Sequence, residues 1–441
     1  MSRKQTNDTI LKEPIVWEAY RKTIVHFFPK FNRWLNKIED KRDPWKIIYP
    51  KEYMIWIGML LFICKLSYRR QIKYLFNTPE FIENINNFSS AFVGTVAHPD
   101  TVNYFFSKIP EKNIMRLKKK MIQGMLRSRR LDNYRLSGYY LVVLDGSGHL
   151  SFGERRHCED CLSKTLEGGK TIYYHNIVEA KLVTEFGMVL SMGSEFVNNE
   201  GKQSDVQDCE LAAAYRLLEK LKTDYPQLKI CLLLDSLYAN QNIFEIAEKN
   251  NWKYIINFKE GSIPTVAGEF RSLLKLEPES KKILKDIEFL QEFNWINDID
   301  HEGHKVNYIK CVEKENSETT TYEWLTNFRI DGNNVDIVAN KGGRQRWKIE
   351  NQGFNMQKNG GYNLEHAYST NPRAIKNFYL LMQIAHIINQ LAEYGSLLKN
   401  IQKTFGSIKN IAACLLDELK HFRLQLEFKY DYSFYIKFNS S

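Results

Sequence analysis

Hydrophobic residues change their spacing more than once along this chain. Up to about residue 136 they recur at helical intervals, as in Trp17, Tyr20, Ile24, Phe27, Phe28, Phe31 and Trp34, which predicts an all-helical stretch. The apolar run at 54–66 predicts a buried helix, because about 13 residues fall short of the roughly 20 that cross a bilayer. Ser67 is placed to cap a helix over 68–76 that carries Arg69, Arg70 and Lys73. Pro99, Asp100 and Thr101 open a further helix, and 111–130 reads as a long one.

At Gly138 the helical period stops. Residues 139–144 are continuously apolar and run into Asp145, the pattern of a buried central strand. Strand-like runs follow at 173–183 and 188–197, separated by a turn at Phe186-Gly187. A helix over 208–221 leads to a strand over 229–235, and a helix over 240–249 to a strand over 254–258. Three strands, helix, strand, helix, strand predicts a mixed five-stranded α/β sheet in which only the last two strands come from parallel crossovers. From 261 to 343 the chain turns β-rich and polar, with strands over 286–293, 305–312 and 319–328 and turn chemistry at Gly303, Asp331 and Gly332. Helices return after Arg344: one around Glu350, one over 374–392 and one over 408–424.

Composition narrows the class. With 441 residues, 43% hydrophobic and 26% charged, the chain has room for two or three globular domains. A formal charge of +10 points to a polyanionic partner, nucleic acid ahead of an anionic membrane. The 111–130 helix concentrates that charge, setting Arg116, Lys118, Lys119, Lys120, Arg127, Arg129 and Arg130 against Glu111 alone. It is either a phosphate-contacting surface or a solvated face. Residues 1–14 lack the apolar core of a signal peptide, and seven scattered cysteines fit thiols in a reducing cytoplasm, without disulfides and without a membrane span.

Three acids stand out. Asp145 and Asp235 each end a hydrophobic strand, where ligands of open α/β sheets bind; capping the next turn is the structural alternative for both. Glu350 lies on the segment Arg344-Gln-Arg-Trp-Lys-Ile-Glu350, with Arg346 one turn before it on the same face. Three carboxylates can hold two divalent cations roughly 4 Å apart, and oxygen-only ligands suit Mg2+ or Mn2+.

The strand order, with Leu144-Asp145-Gly146-Ser147, Leu234-Asp235-Ser236 and Arg346-x3-Glu350, resembles the DDE transposases of bacterial insertion sequences over roughly residues 90 to 395. In the branch of that family that excises through hairpins, a β-rich insertion separates the second aspartate from the glutamate, as it does across the 115 positions from Asp235 to Glu350 here. That branch carries a Tyr-x2-Arg-x3-Glu-x6-Lys signature; this chain keeps Arg346 and Glu350, has Gly343 at the tyrosine position and places Lys358 one residue late. The resemblance implies an RNase-H-like catalytic core, with Asp145, Asp235 and Glu350 as ligands of two Mg2+ or Mn2+ ions and Arg346 on the phosphate. It also implies hydrolysis of double-stranded DNA at transposon ends, then strand transfer by the freed 3′-hydroxyl within a synaptic homodimer. Lys358, Lys118, Lys119, Lys120, Arg129 and Arg130 are candidate DNA contacts, and Trp324 and Trp295, in the insertion, are candidates for stacking on a base or for plain core packing.

On this reading the chain divides into a helical, DNA-binding region (1–136), a first part of the core (137–260), a β-rich insertion (261–343), and the Glu350 helix with the C-terminal helices (344–441). Phe378, Leu381, Ile384, Ile387, Ile388 and Leu391 offer either a dimer interface or internal packing. Cys158, Cys161, His175 and Cys209, with His157 in reserve, form a candidate structural zinc set; two loop cysteines and a strand histidine are the alternative. Asp205, Asp208 and Glu210 sit at a helix start and read as structural. A domesticated nuclease and a non-catalytic DNA-binding protein are the competing functions.

Overall fold

A computed structural model of the chain describes residues 13–154, 160–197, 199, 207–259, 261–315, 318–399, 405–427 and 436–438. Two compact units divide it: Met1–Ile114 with Asn377–Ser441, and Met115–Lys376. Among the described residues no helix is long and apolar enough to cross a membrane.

The first unit opens with α1 (Ile15–Phe27), α2 (Phe31–Leu35), α3 (Lys51–Ile63), α4 (Gln71–Leu75), α5 (Pro79–Ser89) and α6 (Pro99–Lys108). The apolar run at 54–66 is indeed a buried helix, α3, all of whose residues from Tyr53 to Ile63 are enclosed. Sequence reading passed over α5, which starts at Pro79 with Thr78 as its cap. The basic helix, α7 (Glu111–Arg127), carries the chain into the second unit.

The second unit is built on one ten-stranded mixed sheet. Its first strands are β1 (Tyr140–Phe152), β2 (Leu162–Thr165), β3 (Thr171–Val183) and β4 (Val189–Val197). Helix α8 (Glu210–Asp224) leads to β5 (Ile230–Leu234), and α9 (Gln241–Asn250) to β6 (Lys253–Asn257). β1 pairs antiparallel with β3, and β3 with β4, whereas β1–β5 and β5–β6 are parallel. The five strands thus lie in the order β4-β3-β1-β5-β6, with the mix of directions the sequence predicts.

The insertion departs from expectation. It contains a helix, α10 (Pro264–Leu274), before β7 (Lys281–Lys285), β8 (Phe289–His301), β9 (His304–Glu315) and β10 (Glu318–Thr326). β10 pairs antiparallel with β6, so these strands extend the core sheet instead of forming a separate layer. Trp324 lies opposite Asn257 in that pairing and is 2% exposed, which corrects its assignment as a DNA contact: it is core, as is Trp295.

After β10 the chain makes short π-helical and 3-10 turns, then α11 (Met356–Asn359), α12 (Pro372–Glu393) and α13 (Ile408–His421). From Asn377 onward these helices belong to the first unit. Glu418 of α13 accepts hydrogen bonds from the backbone of Val16 and Trp17, placing a carboxylate on the N-terminus of α1. Asn377 donates to the carbonyls of Phe106 and Ile109 at the end of α6. Phe378, Leu381, Ile384, Ile387, Ile388 and Leu391 are all 1% exposed or less, so this apolar stripe is used inside the chain and is not a dimer interface.

Gly342 and Gly343 explain how the chain passes from the insertion to the Glu350 segment. A Cβ on Gly342 would collide with Ile255 of β6, and one on Gly343 with the Trp324 indole. A tyrosine at position 343, as in the Tyr-x2-Arg-x3-Glu-x6-Lys signature the chain resembles, therefore has no room here. A buried indole yields less than a flexible chain end, so Gly343→Ala is expected to destabilise the protein by about 1–3 kcal/mol. Urea unfolding measures this, and combining it with Trp324→Phe should return part of the loss. An unchanged midpoint for Gly343→Ala alone would show that the backbone shifts freely at this point.

Candidate active site

Asp145 and Asp235 are brought together by strand register. β1 and β5 run parallel with Val143 beside Leu233, so two residues on each aspartate stands at the same level of neighbouring strands. Such strands are about 4.8 Å apart. Contrary to expectation, Asp145 does not end its strand: β1 continues to Phe152 paired only with β3. What ends there is the pairing with β5, which opens the sheet beside Asp145. Asp235 is the cap the sequence offered as an alternative, its Oδ1 accepting from Leu237 N at 2.8 Å. One oxygen used in this way leaves the other available.

Glu350 arrives on a π-helical segment, Ile349–Asn355. Three basic residues set that segment down. Arg344 pairs with Glu313 of β9 at 2.6 Å and lies 4.3 Å over the Tyr322 ring. Lys348 donates to the carbonyls of Thr184 and Glu185 in the β3–β4 turn. Between them Arg346 turns inward, its Nη1 3.8 Å from Asp145 Oδ2 and its Nη2 3.0 Å from Glu350 Oε1. The predicted one-turn pairing of Arg346 with Glu350 is thus present, and the guanidinium also spans to Asp145.

A fourth acid joins them. Glu210, in the first turn of α8, lies against Gly146, where any Cβ would strike its carboxylate. Tyr238 donates to Glu210 Oε1 at 2.8 Å, tying α8 to the turn after Asp235. Glu210 is therefore more than the structural helix-start acid that its position predicts; its neighbour Asp208 is structural, buried and held by Arg216 at 2.7 Å, whereas Asp205 lies outside the described residues. The signal available in the sequence was Gly146, directly after Asp145, which leaves room for a side chain from elsewhere.

Crowding four acids has an electrostatic signature. Burial, reinforced by the charges of Glu350, Glu210 and Asp235, pushes the Asp145 carboxyl up to about 7, against the opposing pull of Arg346. Burial likewise raises Glu210, with Asp235 adding to it and the Tyr238 hydrogen bond opposing. Among the described residues no three His, Cys, Asp or Glu side chains converge closely enough to ligate one ion as they stand. Arg346 occupies the place between Asp145 and Glu350, a monovalent stand-in for a cation. The donor set, carboxylate oxygens throughout, fits Mg2+ or Mn2+.

Beneath Asp145 lies a second polar layer. Glu179 faces Asp145 across the β1–β3 ladder and is fully buried. Ser191 and Ser194 of β4 donate to its two oxygens and accept from Lys118 Nζ, each at 2.5 Å. Lys181, also fully buried, has no hydrogen-bond partner on Nζ, which lies 4.7 Å over the Phe354 ring of the Glu350 segment. Burial lowers Lys181 to about 8 although Glu179 and Asp145 favour its charge.

This removes one lysine from the basic row on α7. Lys118 is buried at 2% exposure and committed to the serines, so it does not reach DNA. Lys119 pairs with Asp224 at 2.6 Å and Lys120 is half-buried, while Arg129 is exposed and Arg130 half-buried. Lys358 pairs with Glu365 at 2.9 Å. An aromatic the sequence reading did not single out, Trp347, is 50% exposed with the Arg346 guanidinium 5.2 Å from its ring.

Among the described residues the zinc set is not assembled. Cys158 and His157 lie outside the described residues, Cys161 is disulfide-bonded where thiols were expected, and Cys209 is an exposed free thiol. His175 is buried, edge-on to Phe152, and feels the charge of Asp160, which pairs with Lys376 at 3.4 Å. A disulfide sulfur offers zinc no thiolate.

No family model matches the chain, and no curated protein matches its sequence.

The Asp145 shift carries a pH dependence. Its folded value, about 7, lies above the ordinary 3.8, so its stabilising contribution is complete below about pH 4 and lost as pH rises through 7. Asp145→Asn, which cannot ionise, is expected to melt a few °C higher than the native protein above pH 7, with the gain vanishing near pH 4. Mn2+ should raise the native melting temperature and leave Asp145→Asn little changed. A gain that is the same at both pH values would sever it from ionisation of Asp145.

Proposed function

We propose that this chain is a DDE-type DNA transposase, which hydrolyses DNA at element ends and joins the freed 3′-hydroxyl to target DNA. One observation carries the reading: acids from positions 145 and 350 meet on a single arginine, with Asp235 level with Asp145 on the next strand. The order β4-β3-β1-β5-β6, antiparallel on one side of β1 and parallel on the other, supports an RNase-H-like core.

Two divalent cations held by Asp145, Asp235 and Glu350 would activate the attacking oxygen and neutralise the leaving one. The chain's own groups do the rest. Arg346, held between two carboxylates, is free to turn to a phosphate once their charge is met otherwise, and a guanidinium binds phosphate through two donors. Glu210, lying against Gly146 and bonded to Tyr238, ties α8 to the turn after Asp235. Trp347 offers an exposed ring on which a base can stack. In the first unit, Arg70, Lys73, Tyr68 and Tyr74 around α4 are exposed, a basic and aromatic surface suited to duplex backbone. A nuclease with the same acids and no strand transfer is the second reading, favoured only in that the stripe offered as one possible dimer interface is buried.

Incubation with candidate end DNA and Mn2+ tests the proposal. Asp145→Asn, Asp235→Asn and Glu350→Gln should each lose on the order of a thousandfold in cleavage while binding the DNA within about twofold of the native protein. Joined products separate transposase from nuclease. Near-native cutting by any one of the three variants would remove the triad.

A further inference from the structure

Beyond Asp145, on the face of the sheet that α8 covers, Gly148 and Ser151 of β1 are exposed. α8 shields this face only as far as Glu210 over Gly146. β1 continues through Gly148, paired with Asn176, and a bulge between Gly148 and Leu150 brings Ser151 beside Tyr174. On the other side of β3, Lys164 of β2 pairs with Ile172. Alternation puts Gly146, Gly148, Ser151, Tyr174 and Asn176 on this one face. From Gly148 onward they line a groove of about 520 Å3, to which Lys164 and Glu365 also contribute.

The chemistry of the groove is specific. Gly148 keeps the near end of the floor flat, since a Cβ there would meet nothing closer than Asn176 Oδ1 at 3.8 Å. The floor therefore admits a chain lying close to the backbone. Farther along, a half-buried Tyr174 ring has the exposed Lys164 ammonium 5.5 Å from its centroid, a stacking face beside a cation. The Asn176 side chain can both donate and accept. Glu365 would repel a phosphate, but Lys358 pairs with it at 2.9 Å. From Gly146, over which Glu210 sits on this same face, to Gly148 is two strand residues, about 7 Å, so the groove opens about one nucleotide from that acid.

We propose that this groove is a single-strand subsite. It receives an unpaired nucleotide flanking the cleaved phosphate, stacks its base on Tyr174 and pairs its phosphate with Lys164. The proposal rests on the DNA-cleavage reading, and it adds that the substrate is unpaired on this side of the acids. A duplex is too wide for a groove of this volume.

The test uses the full chain in Ca2+ and two labelled probes, an oligo-dT single strand of about ten nucleotides and a blunt mixed-sequence duplex, with affinity read by fluorescence anisotropy. Tyr174→Ala should weaken single-strand binding about tenfold and leave the duplex unchanged, Tyr174→Phe should restore it, and Lys164→Ala should weaken it with a smaller salt dependence. Both substitutions are at accessible positions, and equal melting temperatures would confirm intact folding. Equal loss on both probes, or no loss, overturns the subsite. Nicking of plasmid DNA in Mn2+ by the native protein is scored separately: nicking with unaltered Tyr174→Ala binding removes the subsite alone. Selective loss of single-strand binding without nicking removes the cleavage reading and keeps the subsite.

Discussion

Gathering like charges in a half-enclosed place is the constraint around which the second unit is arranged. Asp145, Asp235, Glu350 and Glu210 repel one another, and burial adds to that cost by withdrawing water. Such a cluster persists only where the fold fixes each acid independently. Here register fixes two of them, a helix N-terminus fixes the third, and three basic residues fix the segment carrying the fourth. Only Glu350 is tied to another of the acids, through the Arg346 it shares with Asp145, so most of the repulsion is borne by the sheet and its covering elements.

The buried layer under Asp145 has the opposite sign. Two lysines and one glutamate are enclosed there, and the serine hydroxyls join Lys118 to Glu179 while leaving Lys181 without a hydrogen bond. A lone buried ammonium is expensive, and hydrophobic replacements of buried charges are often neutral or stabilising. Retaining Lys181 therefore makes electrostatic sense chiefly in relation to neighbouring negative charge, which Asp145 and Glu179 supply. Its contact with Phe354 also joins that charge to the segment bearing Glu350.

Much of this was legible in the sequence. The continuous apolar runs before Asp145 and Asp235 mark strands buried on both faces, and hydrophobic periodicity reports burial directly. Arg346 and Glu350 were readable as a pair because four residues make one turn, and even a distorted turn keeps them adjacent. Illegible were features set by contacts distant in sequence. Lys118 looks like one of a solvent-facing row until β4 presents two serines to it. Glu210 looks like a helix-start acid until Gly146 leaves a space beside Asp145. Trp324 looks like a stacking aromatic until Gly343 packs on its ring. In each case the local pattern named the residue type correctly, and tertiary packing decided its use.

The insertion shows why packing decides. Read locally, a polar β-rich stretch between two of the clustered acids is an appendage that could be of any length. Its last strand, however, pairs with β6, and Glu313 of β9 holds Arg344 two residues before Arg346. The excursion thus returns the chain to the sheet at one register, and the paired glycines Gly342 and Gly343 let it cross Ile255 and Trp324 close to the backbone. Glu350 reaches Asp145 because the extended sheet measures out where its segment begins. A shift of β10 by one residue would turn Trp324 out of the core and move the Arg344 anchor with it. The position of the third acid is therefore a property of sheet register, as the positions of the first two are.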